Sequence, residues 1–281
     1  MGWVKILWQL QRRESFLNEG FMSLELGKVV NEAISTFEAE NGIRNFWEPP
    51  LLTALNADHP LIPGLKQSVS PDHLLPEELL PGAKSVVIFF IPLADRIVES
   101  NIEGEAASDE WALSYVLTNS LLGFIGEEVE KILDRHGFHA AKIKATHNFD
   151  RETLMSRWSH RHLAWIAGLG SFGLNNMLIT VKGCCGRLGS LVTDADCGIL
   201  GIPMASGPQK ERCLNKQNGS CGLCLKKCPA GAYGGDGKFD RHKCHEACLK
   251  NAELHKSIGT ADVCGKCLVG LPCSKDMPYY T

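Results

Sequence analysis

Apolar residues recur at helical spacing just after Ser23, a residue suited to cap a helix: Leu24, Leu26, Val29, Val30, Ala33, Ile34 and Phe37 share one face. A stretch punctuated by Pro49, Pro50, Pro60, Pro63, Pro71, Pro76 and Pro81 follows and reads as an irregular loop. Ser85–Pro92 is a continuous apolar run of strand length, the pattern of a strand buried on both faces. From Ser108 to His136, Trp111, Leu113, Val116, Leu117, Leu121, Ile125, Val129 and Leu133 return at the helical period, and Gly137 ends the segment. Phe138–Ala145 is predicted to be a strand, Arg157–Ala167 a helix, and Met177–Val181 and Leu188–Thr193 two further strands. Strands interleaved with helices imply an α/β or α+β body. The character of the chain changes near Gly201–Pro208, which sets a domain boundary. The predicted division is an N-terminal extension over 1–21, an α/β domain over 22–203 and a cysteine-rich domain over 204–281.

At 281 residues and 44% hydrophobic, the chain can bury one large core and carry a small second domain. The formal charge of −3 hides an asymmetry: residues 204–281 hold 12 Lys/Arg against 7 Asp/Glu, and the remainder holds 17 against 25. The basic segment is also where the cysteines gather. One run is Cys213-x7-Cys221-x2-Cys224-x3-Cys228-Pro229; the other, after Cys244 and Cys248, is Cys264-x2-Cys267-x5-Cys273. Thiolates at such spacing, with proline after the last of a run, form the pattern that holds ferredoxin-type clusters, so the reading is two 4Fe-4S clusters. An anionic cluster explains the surplus of local Lys and Arg without invoking nucleic acid. Zinc and disulfides are the alternatives. Zinc would draw on Cys221-x2-Cys224 and Cys264-x2-Cys267 but leave Cys228-Pro229 without a role. Disulfides need an oxidising compartment. The first residues, with Arg12-Arg13 after the apolar stretch and no small-residue cleavage site, do not read as an export signal and are too short to span a bilayer. Met22 offers an alternative start, and a cytoplasmic protein without membrane contact is expected.

Gly168-Leu-Gly170-Ser-Phe-Gly173 matches G-x-G-x-x-G, but a dinucleotide fingerprint leaves a strand and opens a helix, and here a helix precedes and a strand follows. The remaining readings are a turn between packed elements or a glycine loop that lets backbone approach a bulky cofactor. Cys184-Cys185 and Cys197 stand outside the cluster runs. Adjacent residues of a strand face opposite sides, so at most one of the pair would face a cofactor; buried structural thiols are the other reading.

Ala167-Gly-Leu-Gly-Ser-Phe-Gly-Leu-Asn-Asn-Met-Leu-Ile-Thr180, Gly186-Arg-Leu-Gly-Ser-Leu-Val-Thr193 and the two cysteine runs together resemble epoxyqueuosine reductase and its relatives, with reductive dehalogenases more distant. The similarity covers roughly residues 80–281. It implies a cobalamin-binding α/β domain of nitroreductase-like topology followed by a ferredoxin-like domain with two clusters that feed electrons to cobalt. Carried over by position, Cys213, Cys221, Cys224 and Cys273 hold one cluster, and Cys228, Cys244, Cys264 and Cys267 the other. Cys213 stands eight residues before Cys221 and Cys273 follows Pro272, both departures from the family's spacing, and Cys248 is an alternative to Cys244. The family's Asp-Thr-x-Pro element is replaced by Leu154-Met-Ser-Arg157, so its acid is missing. Asp150, Glu152, His160 and His162 are the nearby substitutes, and a general acid near neutral pH favours His160 or His162. Ser159-His-Arg-His162 reads equally well as a polar helix face. No Asp-x-His-x-x-Gly signature is present, so no histidine ligand to cobalt is expected from that motif.

The leading expectation is an iron–sulfur oxidoreductase whose cofactor pocket is lined by Gly168, Gly170, Ser171, Gly173, Asn175, Gly189 and Ser190. Cobalamin is the expected cofactor by resemblance and flavin the runner-up. A ferredoxin or flavodoxin would donate electrons to reduce a small-molecule substrate. Because the chain does not extend into the family's helical-repeat region and its overall balance is acidic, tRNA is not the expected substrate. Nitroreductase-like relatives sometimes dimerise, and the apolar extension offers a homodimer contact. A partner-docking electron carrier without a catalytic cofactor and a zinc-stapled binding module are the competing classes.

Overall fold

The computed structural model describes residues 26–200, 202–204, 207–234 and 238–278. Ser23, Leu24 and the predicted extension over 1–21 lie outside the described residues. Helix α1 (26–40) is followed by β1 (Leu51–Asn56), the short helices α2 (Leu65–Ser68) and α3 (Pro76–Leu79), β2 (Ser85–Pro92), α4 (Asp95–Ser100), α5 (Asp109–Arg135), β3 (Ala140–Lys142), α6 (His160–Ile166), β4 (Ser171–Phe172), β5 (Leu178–Ile179), β6 (Gly186–Thr193) and α7 (Cys197–Leu200). The cysteine-rich segment contributes α8 (Leu214–Asn218), α9 (Leu223–Lys226) and α10 (Arg241–Leu254).

The continuous apolar run of β2 makes it the middle of the molecule, with all eight of its residues buried. It pairs antiparallel with β1 on one side and β6 on the other, and β3 closes the sheet in the order β1-β2-β6-β3. Successive side chains of a strand face opposite ways. Val87, Phe89 and Ile91 meet Val30 and Phe37 of α1 and Leu121, Ile125 and Val129 of α5. Val86 and Ile88 meet Trp158 and Leu163 and Ile166 of α6. Covered on both faces, β2 has no use for polar alternation, and each buried side chain contributes about 1.5–3 kcal/mol. The result is a mixed α+β body around a small antiparallel sheet.

Helix α5 begins where the sequence sets its cap: the Ser108 hydroxyl accepts from the Trp111 amide at 3.1 Å. It ends before Gly137, whose φ of +78° lies in the left-handed region. Other predicted bounds contract. Phe138–Ala145 yields only β3, an edge strand paired with the end of β6. The predicted helix from Arg157 starts at His160 because Ser159 caps it, its side chain accepting from the His162 amide. Met177–Val181 yields β5, which leaves the main sheet and pairs with β4. The proline-rich loop holds more order than expected: β1 pairs along the whole of Leu51–Asn56, and Pro76 occupies the first turn of α3, where its missing amide hydrogen costs nothing.

The cysteine-rich segment docks on this body through buried contacts. Leu268 and Val269 join the same apolar cluster as Val87. The Lys266 ammonium donates to the carbonyls of Asn101 at 2.8 Å and Glu103 at 2.7 Å, and Asn101 Nδ2 donates to the Cys264 carbonyl at 2.9 Å. Gly265 has φ +74°, and a side chain there would run into the Trp111 ring, so the turn between Cys264 and Cys267 lies directly on α5. No described helix is long and apolar enough to cross a membrane.

Candidate functional site

The fold gathers the cysteines from separate stretches of chain into two groups. Cys213 and Cys221 flank α8, Cys224 lies on α9, and Cys273 arrives from the final turn of the described chain. Burial pushes the Cys224 thiol up to about 11, and the neighbouring Cys273, Cys213 and Cys221 add to the rise. These four, with Gly173, Asn175 and Pro272, wall a small space of about 20 Å3. In the second group Cys228 follows α9, Cys244 stands on α10, and Cys264 and Cys267 flank the turn at Gly265. Burial pushes Cys267 up to about 12, against a hydrogen bond from Tyr233 that lowers it, and Cys244, Cys264 and Cys228 raise it further. Cys228 Sγ accepts from the Ala232 amide at 3.5 Å, and Cys267 Sγ from the Tyr233 hydroxyl at 3.9 Å. Cys248 sits one helical turn beyond Cys244, in hydrogen-bond contact with it. That contact, the largest influence on Cys244, lowers the Cys244 thiol to about 7.

All twelve cysteines are free thiols. Among the described residues, no three His, Cys, Asp or Glu side chains converge on a single ion-sized point. A tetrahedral zinc site needs four donors about 2.0–2.3 Å from one centre, whereas a cubane spreads its thiolates around four irons. Each group brings four thiols, the donor set that a 4Fe-4S cluster takes.

The second group also forms one wall of a cavity of about 680 Å3. Across it stand Tyr115 of α5, Arg187 of β6 and Asp262, with Phe149, His162 and Asn175 completing the enclosure. The Tyr115 hydroxyl donates to Asp262 Oδ1 at 2.8 Å, and the Arg187 guanidinium lies 4.3 Å above the Tyr115 ring. Burial pushes the Tyr115 phenol up to about 12, outweighing the opposing pull of Arg187. Burial likewise lowers Arg187, whose Nε is buried without a hydrogen-bond partner. An adjoining space of about 400 Å3 shares Tyr115, Arg187, Cys248 and Asp262 and extends to Cys184. Sequence reasoning did not single out Tyr115, Arg187 or Asp262. The available signals were a polar strip, Ser114, Tyr115 and Thr118, on the otherwise apolar buried face of α5, and Arg187 inside a strand next to the cysteine pair.

The residues expected to line a cofactor pocket mostly do something else. Gly168, Gly170, Ser171, Gly189 and Ser190 line none of these spaces; Gly173 borders the first cysteine group, and only Asn175 reaches the large cavity. Gly170 is small because a Cβ there would collide with the Ile179 carbonyl, so the loop serves the packing of β4 on β5. Ser171 Oγ donates to Glu211 Oε1 at 3.0 Å and accepts from the Arg212 amide at 2.7 Å, tying the loop to the approach to Cys213. Asn175 Nδ2 donates to the Cys267 carbonyl at 2.7 Å. The loop thus supports the cysteine groups from behind. Its glycines do not face the cavity.

The two candidate acids differ. His160 is buried, its Nε2–H donating to the Lys144 carbonyl at 3.2 Å and its Nδ1 accepting from Ser190, which in turn accepts from Trp158 Nε1 at 3.0 Å. Both His160 nitrogens are satisfied away from the large cavity, and the residue borders the adjoining space instead. His162 does line the cavity, its Nδ1 2.7 Å from Ser159 Oγ and its ring 4.8 Å from that of Phe172. Burial pushes both imidazoles down to about 4, so neither carries a spare proton near neutral pH. Cys197 is buried, donating to Ser85 Oγ at 3.1 Å.

No protein-family model matches the sequence, and no curated protein matches it. Solved structures do match. Epoxyqueuosine reductase from Streptococcus thermophilus aligns over 92% of this chain and 68% of its own, with 18% identity and a TM-score of 0.51. An epoxyqueuosine reductase bound to a tRNA-Tyr stem loop aligns over 91% and 68%, with 19% identity and a TM-score of 0.50. A catabolic reductive dehalogenase aligns over 81% of this chain but 30% of its own, with 16% identity and a TM-score of 0.54. Identities this low speak for architecture: the chain has the fold of the epoxyqueuosine reductases and the reductive dehalogenases.

Proposed function

We propose that the chain is an iron–sulfur reductase, with a cofactor domain over 22–203 of nitroreductase-like topology and a ferredoxin-like domain over 204–281. Cys213, Cys221, Cys224 and Cys273 would hold one 4Fe-4S cluster and Cys228, Cys244, Cys264 and Cys267 the other. Such clusters supply one-electron transfer, and a corrinoid or, failing that, a flavin in the cavity would accumulate two reducing equivalents for a small substrate. The observation that carries this reading is the asymmetry of the cysteine groups: one borders a space of only about 20 Å3, and the other lines a cavity whose about 680 Å3 lies within the range of cofactor and ligand sites.

Around that cavity the chain's own residues have definable tasks. Arg187 offers a cation to an electron-rich group on the substrate. Tyr115, held by Asp262 at 2.8 Å, offers a phenolic proton at the same wall. The apolar neighbours Phe149 and Leu154 exclude water. A partner-docking electron carrier without a cofactor would leave this buried polar group idle.

The substrate class stays as broad as a small molecule, and a tRNA arm rejoins it despite the acidic composition, because an epoxyqueuosine reductase of this fold was solved with a tRNA stem loop. A cytoplasmic setting with a ferredoxin or flavodoxin as donor suits a chain of free thiols. The test is anaerobic incubation of the chain with hydroxocobalamin, followed by gel filtration and extraction. About one corrinoid retained per chain supports the reading, and none retained, with full iron content, shifts it to flavin or to the carrier class. A tRNA anticodon stem loop in a parallel gel-shift decides that substrate arm.

A further inference from the structure

Among the described residues that line the large cavity stand three guanidiniums, of Arg161, Arg187 and Arg241, and one carboxylate, of Asp262. Asp262 is engaged already, accepting from the Tyr115 hydroxyl at 2.8 Å and standing 3.7 Å from His147 Nε2. Arg187 is engaged too, its guanidinium 4.3 Å above the Tyr115 ring. Arg161 and Arg241 are held differently, each by neutral acceptors. Arg161 sits on α6, and its Nη1 donates to the Asn176 carbonyl at 2.6 Å and to Met177 Sδ at 3.3 Å. Arg241 opens α10, and its Nη1 donates to Met155 Sδ.

A thioether is a weak acceptor, whereas the N–H fork of a guanidinium matches the paired oxygens of a carboxylate or phosphate. Charge held in a cavity away from bulk water costs free energy unless it is paired. Desolvation lowers Arg161 most, and the like charges of Arg187 and Arg241 lower it further. An anionic cluster in the second cysteine group would offset part of this charge. Neither guanidinium, however, hydrogen-bonds a cysteine sulfur among the described residues, so both forks are left for a group that enters the cavity.

We propose that Arg161 and Arg241 form an anion site in the large cavity, taking a carboxylate or phosphate of the molecule bound there. The proposal deepens the reading of that cavity as the reaction chamber and rests on it. The anionic group belongs either to the substrate or to a phosphate on the cofactor.

The experiment is calorimetric titration of the anaerobic, iron-loaded chain with inorganic phosphate and with benzoate, benzyl alcohol serving as the uncharged match. Phosphate or benzoate is expected to bind and benzyl alcohol not, with binding weakened about 10-fold or more in Arg161→Gln and Arg241→Gln. Gel filtration with hydroxocobalamin and with cobinamide, which lacks the phosphodiester, separates the two sources. Variants that keep cobinamide but release hydroxocobalamin assign the anion to the cofactor; phosphate or benzoate binding to the corrinoid-loaded native chain assigns it to the substrate. Either result supports the proposal. A native chain that binds neither anion overturns it, and so do variants that bind them as tightly as the native protein. If a Gln variant does not fold, Arg161→Lys and Arg241→Lys, which keep the charge and lose the fork, take its place: weakened anion binding supports the proposal and unchanged binding overturns it. A chain that holds the anion through these arginines but carries neither iron nor corrinoid fails the reductase reading alone.

Discussion

Two groups of four cysteines with the same chemistry sit in opposite surroundings. The first borders a space of only about 20 Å3 and is fastened by backbone and amide contacts, among them Asn215 Nδ2 to the Cys221 carbonyl and the Cys184 amide to the Cys273 carbonyl. The second opens on about 680 Å3 and faces a phenol, a carboxylate, a guanidinium and the extra thiol of Cys248. The difference teaches that thiolate spacing can announce a cluster but says nothing of what the cluster serves. Neighbouring side chains contributed by α5, β6 and the Asp262 turn set the surroundings of the second group apart from those of the first.

The comparison breaks most visibly if ligands are removed. Cys224→Ala and Cys267→Ala should each lower iron from about eight to about four per chain, measured on oxygen-free protein, with distinct residual spectra. Next in size, Tyr115→Phe and Arg187→Ala should leave iron content unchanged and reduce substrate turnover by about 10²-fold or more, sharpening the view that only the second group has a reaction chamber. Of the two α10 thiols, Cys244→Ala is expected to lose about four irons and Cys248→Ala none, and iron content in the two variants decides which is the ligand.

A smaller effect concerns stability. His160 is held at about 4 by burial, below its ordinary 6.5, so the unfolded chain takes up a proton before the folded one as pH falls. Stability should fall from about pH 6.5 to about pH 4 and level off below it, by up to about 3 kcal/mol from this group. Thermal unfolding across that range, with His160→Gln flattening the slope, checks the sign.

Much of the scaffold could be read from the chain because its signals were local. Ser108 and Gly137 bracket α5, and the unbroken apolar run of β2 marks a doubly covered strand. The strand β1 hid among prolines because its order comes from pairing with β2, a partner that lies far along the sequence. The glycine loop shows the limit of a motif: G-x-G spacing is the same whether backbone approaches a cofactor or the Ile179 carbonyl, and only the fold distinguishes them. His160 and His162 looked alike in sequence, yet Ser190 and Lys144 consume both nitrogens of one while the other borders the cavity. Tyr115, Arg187 and Asp262 come from three distant segments, so no spacing rule links them.

The most direct measurement is iron and acid-labile sulfide per polypeptide in protein purified without oxygen. The account predicts about eight of each, falling by half in Cys224→Ala or Cys267→Ala. Zinc in place of iron, or no more than about four irons in the native chain, would contradict it.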